Sequence, residues 1–297
     1  MNRIALYHIE TLLWIDRLGT FAATAQRLNT TQPAISARVR ELEGHLGAAL
    51  FKREGRVMTL TPVGRQLVRE FGPIWSHLQD CLLNCAGFEE ATGIIRIGAG
   101  EIAAASCLPG FVAGLTSEMP AVSLEIEIEL TANLILQLIN GRTDIAFTAG
   151  AIAHPALRAS SIGAVNLLWL ASPPVAAAME GDHRKVPKVW SLSDQSPLYQ
   201  VMREATRLAG IPPSSVNLCN NVRAMIDIVA AGCGIGLFPQ PMVDQPLATG
   251  ALVPIGNMSN PPPVEFHIAI RAAEIEPLVL EIYRRATLLE IGQRHSG

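Results

Sequence analysis

The stretch Phe21–Phe51 reads FAATAQRLNTTQPAISARVRELEGHLGAALF, and it predicts two short helices joined by a tight polar turn, followed by an element that closes a small core. The second helix is expected to start around Thr30-Thr31-Gln32-Pro33, because hydroxyl side chains cap free helix amides and proline is tolerated in a first turn. One set of side chains repeats at helical spacing and is expected to face the core: Ile35, Val39, Leu42 and Leu46. A separate polar stripe, suited to a groove of DNA, consists of Gln32, Ser36 and Arg40. The stretch is therefore typical of a helix-turn-helix DNA-binding motif.

Further residues at fixed spacing surround this motif. They are Gly19-Thr20-Phe21, Ala25, Arg27-Leu28, Thr31-Gln32-Pro33-Ala34-Ile35-Ser36, Leu42-Glu43, Leu46-Gly47, Leu50-Phe51, Arg53, Leu60-Thr61-Pro62 and Gly64. Through them, residues 12–64 resemble the winged helix-turn-helix of LysR-type transcriptional regulators. Thr24 departs from that pattern by replacing the first of the family's paired alanines, and Ala37 stands where many members carry Arg or Lys. The second departure implies that one common DNA contact is absent or is taken over by Arg38.

The resemblance and the chemistry of the side chains identify candidate contacts to DNA. The candidate DNA-binding residues are Thr30, Thr31, Gln32, Pro33, Ser36, Arg38, Arg40, Arg53 and Arg56. Gln32 can pair with the edge of adenine, Ser36 is less selective, and Pro33 can meet a thymine methyl group. The two threonines can donate to phosphate, and the last two arginines would lie on the wing. The first two arginines are interpreted as phosphate contacts, or they can pair instead with Glu41 or Glu43.

Charge is unevenly distributed along the chain. Residues 1–70 carry ten Lys or Arg against six Asp or Glu, net +4, and the other 227 residues carry 13 against 20, net −7, which together give the −3 of the whole chain. A basic head on an acidic body suits a protein that meets phosphate at one end and something else at the other. With 297 residues, of which 49% are hydrophobic and 16% charged, the chain is expected to be globular and to contain two or three domains.

A long apolar stripe follows the head. Over residues 62–88 it predicts a helix that Pro73 should bend. The stripe comprises Leu67, Phe71, Ile74, Leu78, Cys81, Leu82, Cys85 and Phe88. By resemblance, residues 62–91 form a linker helix that pairs with the same helix of a second subunit, in a homodimer or in the homotetramer common in the family. The alternative is that the stripe packs against the chain's own body.

From Gly93 onwards, the pattern alternates between strands and helices. Strands are predicted near residues 94–99, 122–130, 144–148, 165–171, 197–202, 216–218, 235–238 and 264–270, and helices near 103–117, 132–140, 203–209, 222–231 and 276–291. This βαβ alternation implies an α/β domain with a mostly parallel sheet and helices on both faces.

The resemblance implies how these elements are arranged. It gives an α/β fold with an α-rich winged helix-turn-helix head at residues 1–61 and an effector-binding domain of two α/β lobes at residues 92–297. Lobe 1 would comprise about 92–163 and 267–297, and lobe 2 about 164–266, with crossings near Gly163-Ala164-Val165 and near Glu265–His267. Such a body resembles a periplasmic solute-binding protein without its export signal, and a small ligand would bind in the cleft between the lobes.

Eight positions resemble the family's inducer site, at which strand ends of the body converge. They are Gly100, Glu101, Ile102, Thr131, Asn133 and Thr148 from one lobe, and Val201 and Asn221 from the other. In a cleft, Glu101 would disfavour anionic inducers and favour an amine or a ligand rich in hydrogen-bond donors. The alternative for Glu101 is a plain carboxylate at the N-terminus of its own helix, stabilised by the helix dipole.

One segment fits a different class of protein. Residues 98–103 read GAGEIA, a GxGxxA between a predicted strand and a predicted helix, with Glu127 or Glu129 ending the next strand. This is the context of a dinucleotide-binding turn in an oxidoreductase. Against that hypothesis, Glu101 would place a carboxylate where a pyrophosphate should meet helix amides. The head and the linker helix also have no role in such an enzyme.

Catalytic and metal-binding patterns are missing from the sequence. There is no GxSxG, HExxH, GxxxxGK[ST] or paired-acid motif, the seven histidines are scattered, and no cofactor is implied. Asp144 is interpreted as a structural residue that satisfies loop amides. The cysteines lack CxxC spacing and are interpreted as inert thiols rather than redox sensors: Cys81, Cys85, Cys107, Cys219 and Cys233.

The location and partners follow from the remaining features. The N-terminus has no apolar run typical of a signal peptide, and the longest uncharged stretch, residues 159–179, is interrupted by polar residues and Pro-Pro, so that neither export nor a membrane span is predicted. We therefore expect a cytoplasmic, sequence-specific transcriptional regulator that binds double-stranded promoter DNA and a small-molecule effector, with RNA polymerase as a further candidate partner. The alternatives are a small-molecule-binding module with little DNA role and a dinucleotide-dependent oxidoreductase.

Overall fold

A computed structural model describes residues 4–54, 57–86, 91–181, 187–194, 196, 198–256 and 258–291. The head comprises the helices α1 (Leu6–Leu18), α2 (Phe21–Arg27) and α3 (Gln32–Leu46) and an antiparallel hairpin of β1 (Phe51–Glu54) and β2 (Val57–Leu60). Thr20 and Thr31 cap α2 and α3, each accepting a hydrogen bond from the backbone amide three residues ahead. The predicted winged helix-turn-helix is therefore confirmed, and its second helix begins where the cap and the proline indicate.

The head has a hydrophobic core of its own. Buried side chains from α1, α3 and the start of the hairpin meet there, among them Leu12, Ile35, Leu42 and Leu50. The prediction that Leu46 faces this core is wrong, because its side chain is 36% exposed. Helix α3 ends at Leu46, and Gly47 turns the chain away with a φ of 67°, so the stripe stops one turn earlier than its spacing suggested.

A single long helix, α4 (Pro62–Ala86), leaves the head and contains Pro73. Its first half packs on the head core through Leu67, Val68, Phe71 and Trp75. Gly64 permits this approach, because a Cβ at that position would lie 2.3 Å from the Leu50 carbonyl oxygen. Between Phe71 and Trp75 in the sequence, the side chain of Ile74 lies off this packed face and is 60% exposed. Phe88, the last residue of the predicted stripe, lies outside the described residues.

The first lobe of the body is built on a mixed sheet. Its strands are β3 (Gly93–Ala99), β4 (Val122–Ile128), β5 (Ile145–Ala149), β6 (Leu157–Val165) and β12 (Val264–Arg271), in the order β4-β3-β5-β12-β6. β3 runs parallel to β4 and β5, whereas β12 runs antiparallel to β5 and β6. The helices of this lobe are α5 (Glu101–Ala105), α6 (Leu108–Glu118), α7 (Thr131–Ile139) and α12 (Pro277–Ala286).

The second lobe is also mixed. Its strands are β7 (Leu167–Ala171), β8 (Val189–Leu192), β9 (Val216–Cys219), β10 (Ile235–Pro239) and β11 (Val253–Pro254), in the order β11-β7-β10-β8-β9. Its helices are α8 (Pro173–Gly181), α9 (Leu198–Leu208), α10 (Val222–Ala230) and α11 (Asp244–Ala248), with 3-10 turns at Pro213–Ser215 and Gln240–Met242. One hydrophobic cluster runs through both lobes and includes Phe147 from the first and Trp169 from the second. The lobes are therefore packed against each other.

Some predicted helices and strands differ from those observed. The strand predicted at 197–202 is wrong, because residues 198–208 form one helix whose buried Leu198, Met202 and Ala205 repeat at helical spacing. The helix predicted at 103–117 is broken between α5 and α6. The last predicted helix ends at Ala286, and Ile291 instead forms a β-bridge with Gly163.

The sheets are mixed rather than mostly parallel, and this prediction was also wrong. Short apolar strands look alike in the sequence whether their neighbours run parallel or antiparallel, so the alternation could not reveal β12 as an antiparallel partner. Three strands of the body, β6, β8 and β11, were not predicted. The strand predicted at 165–171 spans a boundary, because β6 ends at Val165 in lobe 1 and β7 begins at Leu167 in lobe 2. The chain thus crosses between the lobes at Asn166 and returns before Val264.

Candidate DNA-binding surface and interlobe cleft

Helix α3 presents its polar stripe away from the head core. Thr31 Oγ1 accepts a hydrogen bond from the Ala34 amide at 3.3 Å, which defines the start of the helix. The Ser36 hydroxyl donates to the Gln32 carbonyl at 3.0 Å. On the other side of the helix, Ile35 and the two apolar residues that follow it at helical spacing are buried. The structure therefore brings together, around the start of α3, the candidate residues Thr30, Thr31, Gln32, Pro33 and Ser36.

The two arginines of α3 have different surroundings. Arg40 is exposed, and its Nε donates to the Ser36 carbonyl at 3.2 Å. Arg38 turns towards α1, where it donates to Thr11 Oγ1 at 3.3 Å and its guanidinium carbon lies 5.2 Å from the centre of the Tyr7 ring. Arg40 is thus placed at the surface beside the polar stripe, while Arg38 is anchored at the junction of α1 and α3.

The two glutamates of α3 are engaged elsewhere. Glu41 Oε2 lies 3.1 Å from His8 Nε2, and Glu43 Oε1 accepts from the Leu50 and Phe51 amides at 2.7 and 3.2 Å. Glu43 thereby holds the loop that leads into the wing, which is a structural role for a residue of the family signature.

The wing is described only in part. Arg53 lies on β1, where its backbone is paired with that of Met58 on β2. The side chain of Arg53 and the whole of Arg56 lie outside the described residues.

A group of buried charges, here called the head–lobe cluster, joins the head to lobe 1. It consists of Arg27 at the end of α2 and, from lobe 1, Asp144, Arg271, Glu274 and Glu276. Arg27 Nη1 and Arg271 Nη2 lie 2.9 and 3.3 Å from Asp144 Oδ1. Arg27 also pairs with Glu276, and Arg271 with Glu274. The side chains of Asp144 and Glu274 have no exposed surface, so the pairs that these two carboxylates make are formed away from water.

Trp14 of α1 covers this cluster. The guanidinium carbons of its members Arg27 and Arg271 lie 4.5 and 5.8 Å from the centre of the Trp14 ring. Beside it, Leu18 approaches Gly141 so closely that a Cβ on the glycine would lie 2.1 Å from Leu18 Cδ2. The head is therefore docked on lobe 1 of its own chain.

The sequence contains little local signal for this docking. Arg27 was assigned to the helix-turn-helix signature, and Asp144 to the satisfaction of loop amides. The second assignment describes one contact, because Asp144 Oδ2 accepts from the Arg96 amide at 2.9 Å. The pair with Arg27 joins residues 117 positions apart, and nothing in either local sequence indicates it.

The two glutamates of the cluster have opposite shifts in pKa. Burial raises the pKa of Glu276, and the charges of Glu274 and Asp144 add to that effect against the attraction of Arg27. Burial also pushes the pKa of Glu274 upwards, but the charge of Arg271 and hydrogen bonds from the backbone outweigh it and hold the pKa below its ordinary value. As the pH falls, Glu276 is therefore protonated before Glu274.

The predicted effector residues are brought together only in part. Gly100, Glu101 and Asn221 meet where α5 of lobe 1 reaches α10 of lobe 2, and the Glu101 carboxylate accepts from the Asn221 side-chain amide at 3.1 Å. Ile102, the next residue, is buried. Thr148 is fully buried within the lobe 1 sheet and its hydroxyl donates to a backbone carbonyl of β12 at 3.4 Å, so its side chain offers no surface to a ligand.

The hydrogen bonds of this junction involve none of the remaining three predicted effector residues. Thr131 is the first residue of α7, and Asn133 is exposed and donates to Glu129 at 2.9 Å. Val201 on α9 lines a separate cavity of about 1080 Å³. This cavity lies beside the crossings, between Gly150 at the end of β5 and the proline run at 261–263. Its size is of the order of a pocket for a small molecule, and the other seven predicted effector residues do not line it.

The glycine-rich turn has a structural explanation. A Cβ at Gly98 would lie 2.5 Å from Leu134 Cδ2, so glycine at this position allows α7 to pack on β3. The Glu101 carboxylate is bound to the start of α10 in the other lobe and places a negative charge beside this turn. Both observations give the residues of this turn a structural role that requires no dinucleotide.

Metal and thiol chemistry find little support in the described part of the chain. There, no group of three or more His, Cys, Asp or Glu side chains could hold a metal ion. Cys81, Cys107, Cys219 and Cys233 are free thiols, whereas the side chain of Cys85 lies outside the description. Burial raises the pKa of the Cys107 thiol, which disfavours the reactive thiolate. No helix among the described residues is both long enough and apolar enough to span a membrane.

A winged helix-turn-helix head, a long helix and two α/β lobes with a ligand-sized cavity define a DNA-binding protein with a small-molecule-binding body. Residues 6–65 match the family model described as bacterial regulatory helix-turn-helix protein, lysR family, and residues 88–285 match the LysR substrate binding domain. The chain belongs to the LysR family of transcriptional regulators and carries its effector-binding domain.

Individual relatives agree with this assignment. The chain is 29% identical over 233 residues to the HTH-type transcriptional regulator YofA of Bacillus subtilis, which covers 77% of this chain and 79% of that protein. It is 27% identical over 239 residues to the HTH-type transcriptional regulator GltR of the same species, covering 79% of each.

Solved structures share the fold. ArgP from Mycobacterium tuberculosis is similar with a TM-score of 0.60 at 24% identity, covering 96% of this chain and 98% of that chain. Full-length LysG from Corynebacterium glutamicum, with bound effector Arg, is similar with a TM-score of 0.58 at 19% identity, covering 96% of this chain and 99% of that chain.

Proposed function

We propose that α3 reads promoter DNA and that Gln32, Pro33 and Ser36 provide the base contacts. The observation that carries this proposal is the two-sided character of α3, which buries its apolar side and leaves the polar residues of its first turns accessible. The remaining candidate residues would contact phosphates: Thr30, Thr31, Arg38, Arg40, Arg53 and Arg56. Phosphate contacts would supply most of the affinity, and a few base contacts the selectivity.

The linker helix is proposed to pair two subunits. One face of its first half packs on the head core, whereas the side chain of Ile74, which lies between Phe71 and Trp75 in the sequence, is exposed in the single chain. A twofold axis between the α4 helices of two subunits would place two heads on neighbouring half-sites. The proposal covers a dimer and, through further contacts of the bodies, a tetramer.

The proposed domain limits are residues 1–61 for the head, 62–91 for the linker and 92–297 for the body. Within the body, the ends of β6 and β12 support crossings at Asn166 and just before Val264. An effector bound between the lobes would change their arrangement, and the head–lobe cluster would carry the head along with lobe 1. RNA polymerase remains a proposed partner, and the cytoplasm the proposed location. The family and the absence of a supported dinucleotide turn favour a regulator over an oxidoreductase.

Binding of the intact protein to the DNA upstream of its own gene tests the function. Fluorescence anisotropy across a salt series would compare this duplex with a scrambled duplex of equal length. We expect selective binding whose affinity falls steeply with salt, because phosphate contacts release counterions. Equal, weak binding to both duplexes would instead favour the small-molecule-binding module with little DNA role.

Replacing Gln32 with alanine is expected to reduce the preference for the upstream duplex. A bidentate side-chain contact to a base contributes about 1–3 kcal/mol of discrimination. The difference in binding free energy between the two duplexes should therefore shrink by that amount, while binding to scrambled DNA stays nearly constant. Gln245→Ala, at an exposed position on α11, is the matched control. If both variants keep the wild-type ratio of affinities, Gln32 does not contact a base.

A further inference from the structure

The side chain of Glu101 connects the two lobes. Glu101 is the first residue of α5 in lobe 1. Its Oε1 accepts hydrogen bonds from the Asn221 side-chain amide at 3.1 Å and from the Arg223 backbone amide at 3.0 Å. Its Oε2 accepts from the Val222 backbone amide at 2.9 Å. All three donors belong to the start of α10 in lobe 2, so a single carboxylate spans the interlobe boundary.

These contacts complete the N-terminus of α10. The first amides of a helix have no intrahelical acceptors, and they attract negative charge together with the helix dipole. Asn221 is the N-cap of this nine-residue helix, and its Oδ1 accepts from the Ala224 amide at 2.7 Å. The backbone amides of Val222 and Arg223, which precede Ala224, donate to the Glu101 carboxylate. The cap of a lobe 2 helix is therefore shared between its own asparagine and a carboxylate of lobe 1.

The surroundings show that the lobes are closed at this point. Helix α5 also lies against the 3-10 turn Gln240–Met242 of lobe 2. Ile102, directly after Glu101, is buried in the hydrophobic cluster that runs through both lobes. Neither Glu101 nor Asn221 lines the cavity beside the crossings, so the contact holds the lobes together without closing that cavity.

We propose that Glu101 is an interlobe latch, which holds the lobes closed without an effector and selects against anionic effectors at this junction. This inference rests on the proposed control of the regulator by a small molecule. The carboxylate occupies the donors that an incoming anion would need, and its charge repels such a group. A neutral or cationic effector meets neither obstacle. Lobe movement in either direction requires Glu101 to release α10, which makes the latch a point at which effector binding can shift the arrangement of the lobes.

Glu101 differs from a carboxylate that only stabilises the N-terminus of its own helix. Its own helix, α5, is only five residues long and begins with an N-cap glycine that offers no side-chain hydrogen bond. The amides that Glu101 neutralises belong to the longer helix of the other lobe. Of the two sequence hypotheses for Glu101, the structure thus favours a role at the cleft, but with lobe 2 rather than a ligand as the partner.

The latch is tested with Glu101→Ala and Glu101→Asp in the full chain, with Glu127→Ala, at an exposed position on β4, as the matched control. Small-angle scattering would give the radius of gyration, and thermal unfolding the melting temperature. We expect both Glu101 variants to have a larger radius and a lower melting temperature than the wild type. The aspartate retains the charge but is one methylene too short to reach all three donors.

Acetate then serves as a probe of the vacated donors, against chloride at equal ionic strength. We expect acetate to restore the radius and the melting temperature of Glu101→Ala in a saturable manner. The wild type and Glu101→Asp should not respond, because in both the chain's own carboxylate repels the probe. The proposal is overturned if Glu101→Ala matches the Glu127→Ala control in both measurements, or if acetate and chloride act on it alike.

Binding to the upstream duplex, measured on the same samples, separates the two proposals. If the wild type shows no preference for that duplex while acetate rescues Glu101→Ala, the latch is supported and the proposed function fails. If DNA binding is selective but the Glu101 variants behave like the control, the latch is overturned and the proposed function stands.

Discussion

Replacing Asp144 with alanine is expected to lower the free energy of unfolding by about 3–5 kcal/mol, the range found when one partner of a buried ion pair is removed. Asp144 has no exposed surface and pairs with both Arg27 and Arg271. Its loss leaves two buried guanidinium groups short of a counter-charge and deprives the Arg96 amide of its acceptor. Urea unfolding followed by circular dichroism would measure the change.

Asp227→Ala is the matched control for this experiment. Asp227 pairs with Arg223 at 3.6 Å on the surface, with 65% of its side chain exposed, so its removal should leave the unfolding midpoint close to that of the wild type. A midpoint for Asp144→Ala equal to that of the control would contradict the buried, paired state of the head–lobe cluster. The cluster also predicts that the head of Asp144→Ala becomes more accessible to proteolysis than that of the wild type, since its docking on lobe 1 is weakened.

Replacing Ile74 with glutamate is expected to abolish pairing through α4 and thereby weaken operator binding by roughly 10²-fold, the lower end of what linking two binding modules contributes. The side chain of Ile74 is 60% exposed in the single chain, so a glutamate there costs the monomer little. At a helix–helix interface, the same charge would be desolvated and would face its symmetry mate. Sedimentation would report the mass, and anisotropy the affinity for DNA.

Leu288→Glu provides the comparison for Ile74→Glu. Leu288 follows α12 and is 72% exposed. Its replacement by glutamate therefore introduces the same charge at an exposed apolar position away from α4. Its mass and DNA affinity should match those of the wild type. If Ile74→Glu retains the wild-type mass, the stripe of α4 packs against the chain's own body and the pairing of linker helices is wrong.

The head could be predicted closely from the sequence because its signals are local. Thr20 and Thr31 lie at caps, Pro33 lies in a first turn, and Ile35 repeats with later residues at helical spacing. Each of these features acts within a few residues of its position. The predicted burial of Leu46 was wrong because the spacing alone did not indicate that Gly47 ends the helix.

The body was less predictable because its features depend on contacts between distant segments. The apolar stretch around residue 165 does not show that it is divided between two sheets at Asn166, and the direction of β12 is set by the topology rather than by its residues. Residues 198–202 read LYQVM, a short and mostly apolar run that suits a strand, yet the helical spacing of the buried residues becomes clear when Ala205 is included.

The functional residues of the body show the same limit. Glu101 and Asn221 were both predicted at the cleft, but the sequence could not show that they bind each other. The partners are 120 positions apart. Arg27 illustrates the reverse case, in which a residue of a recognised motif has its main contacts outside that motif. A cluster of opposite charges with no local periodicity becomes visible only when the two domains are seen together.

Footprinting of the intact protein on the DNA upstream of its own gene tests the central claim most directly. A paired regulator whose two α3 helices enter the major groove should protect two half-sites whose centres are about one helical turn, or a whole number of turns, apart. Gln32→Ala should lose this protection at concentrations at which Gln245→Ala retains it. Protection of no defined region, with equal affinity for scrambled DNA, would contradict the account.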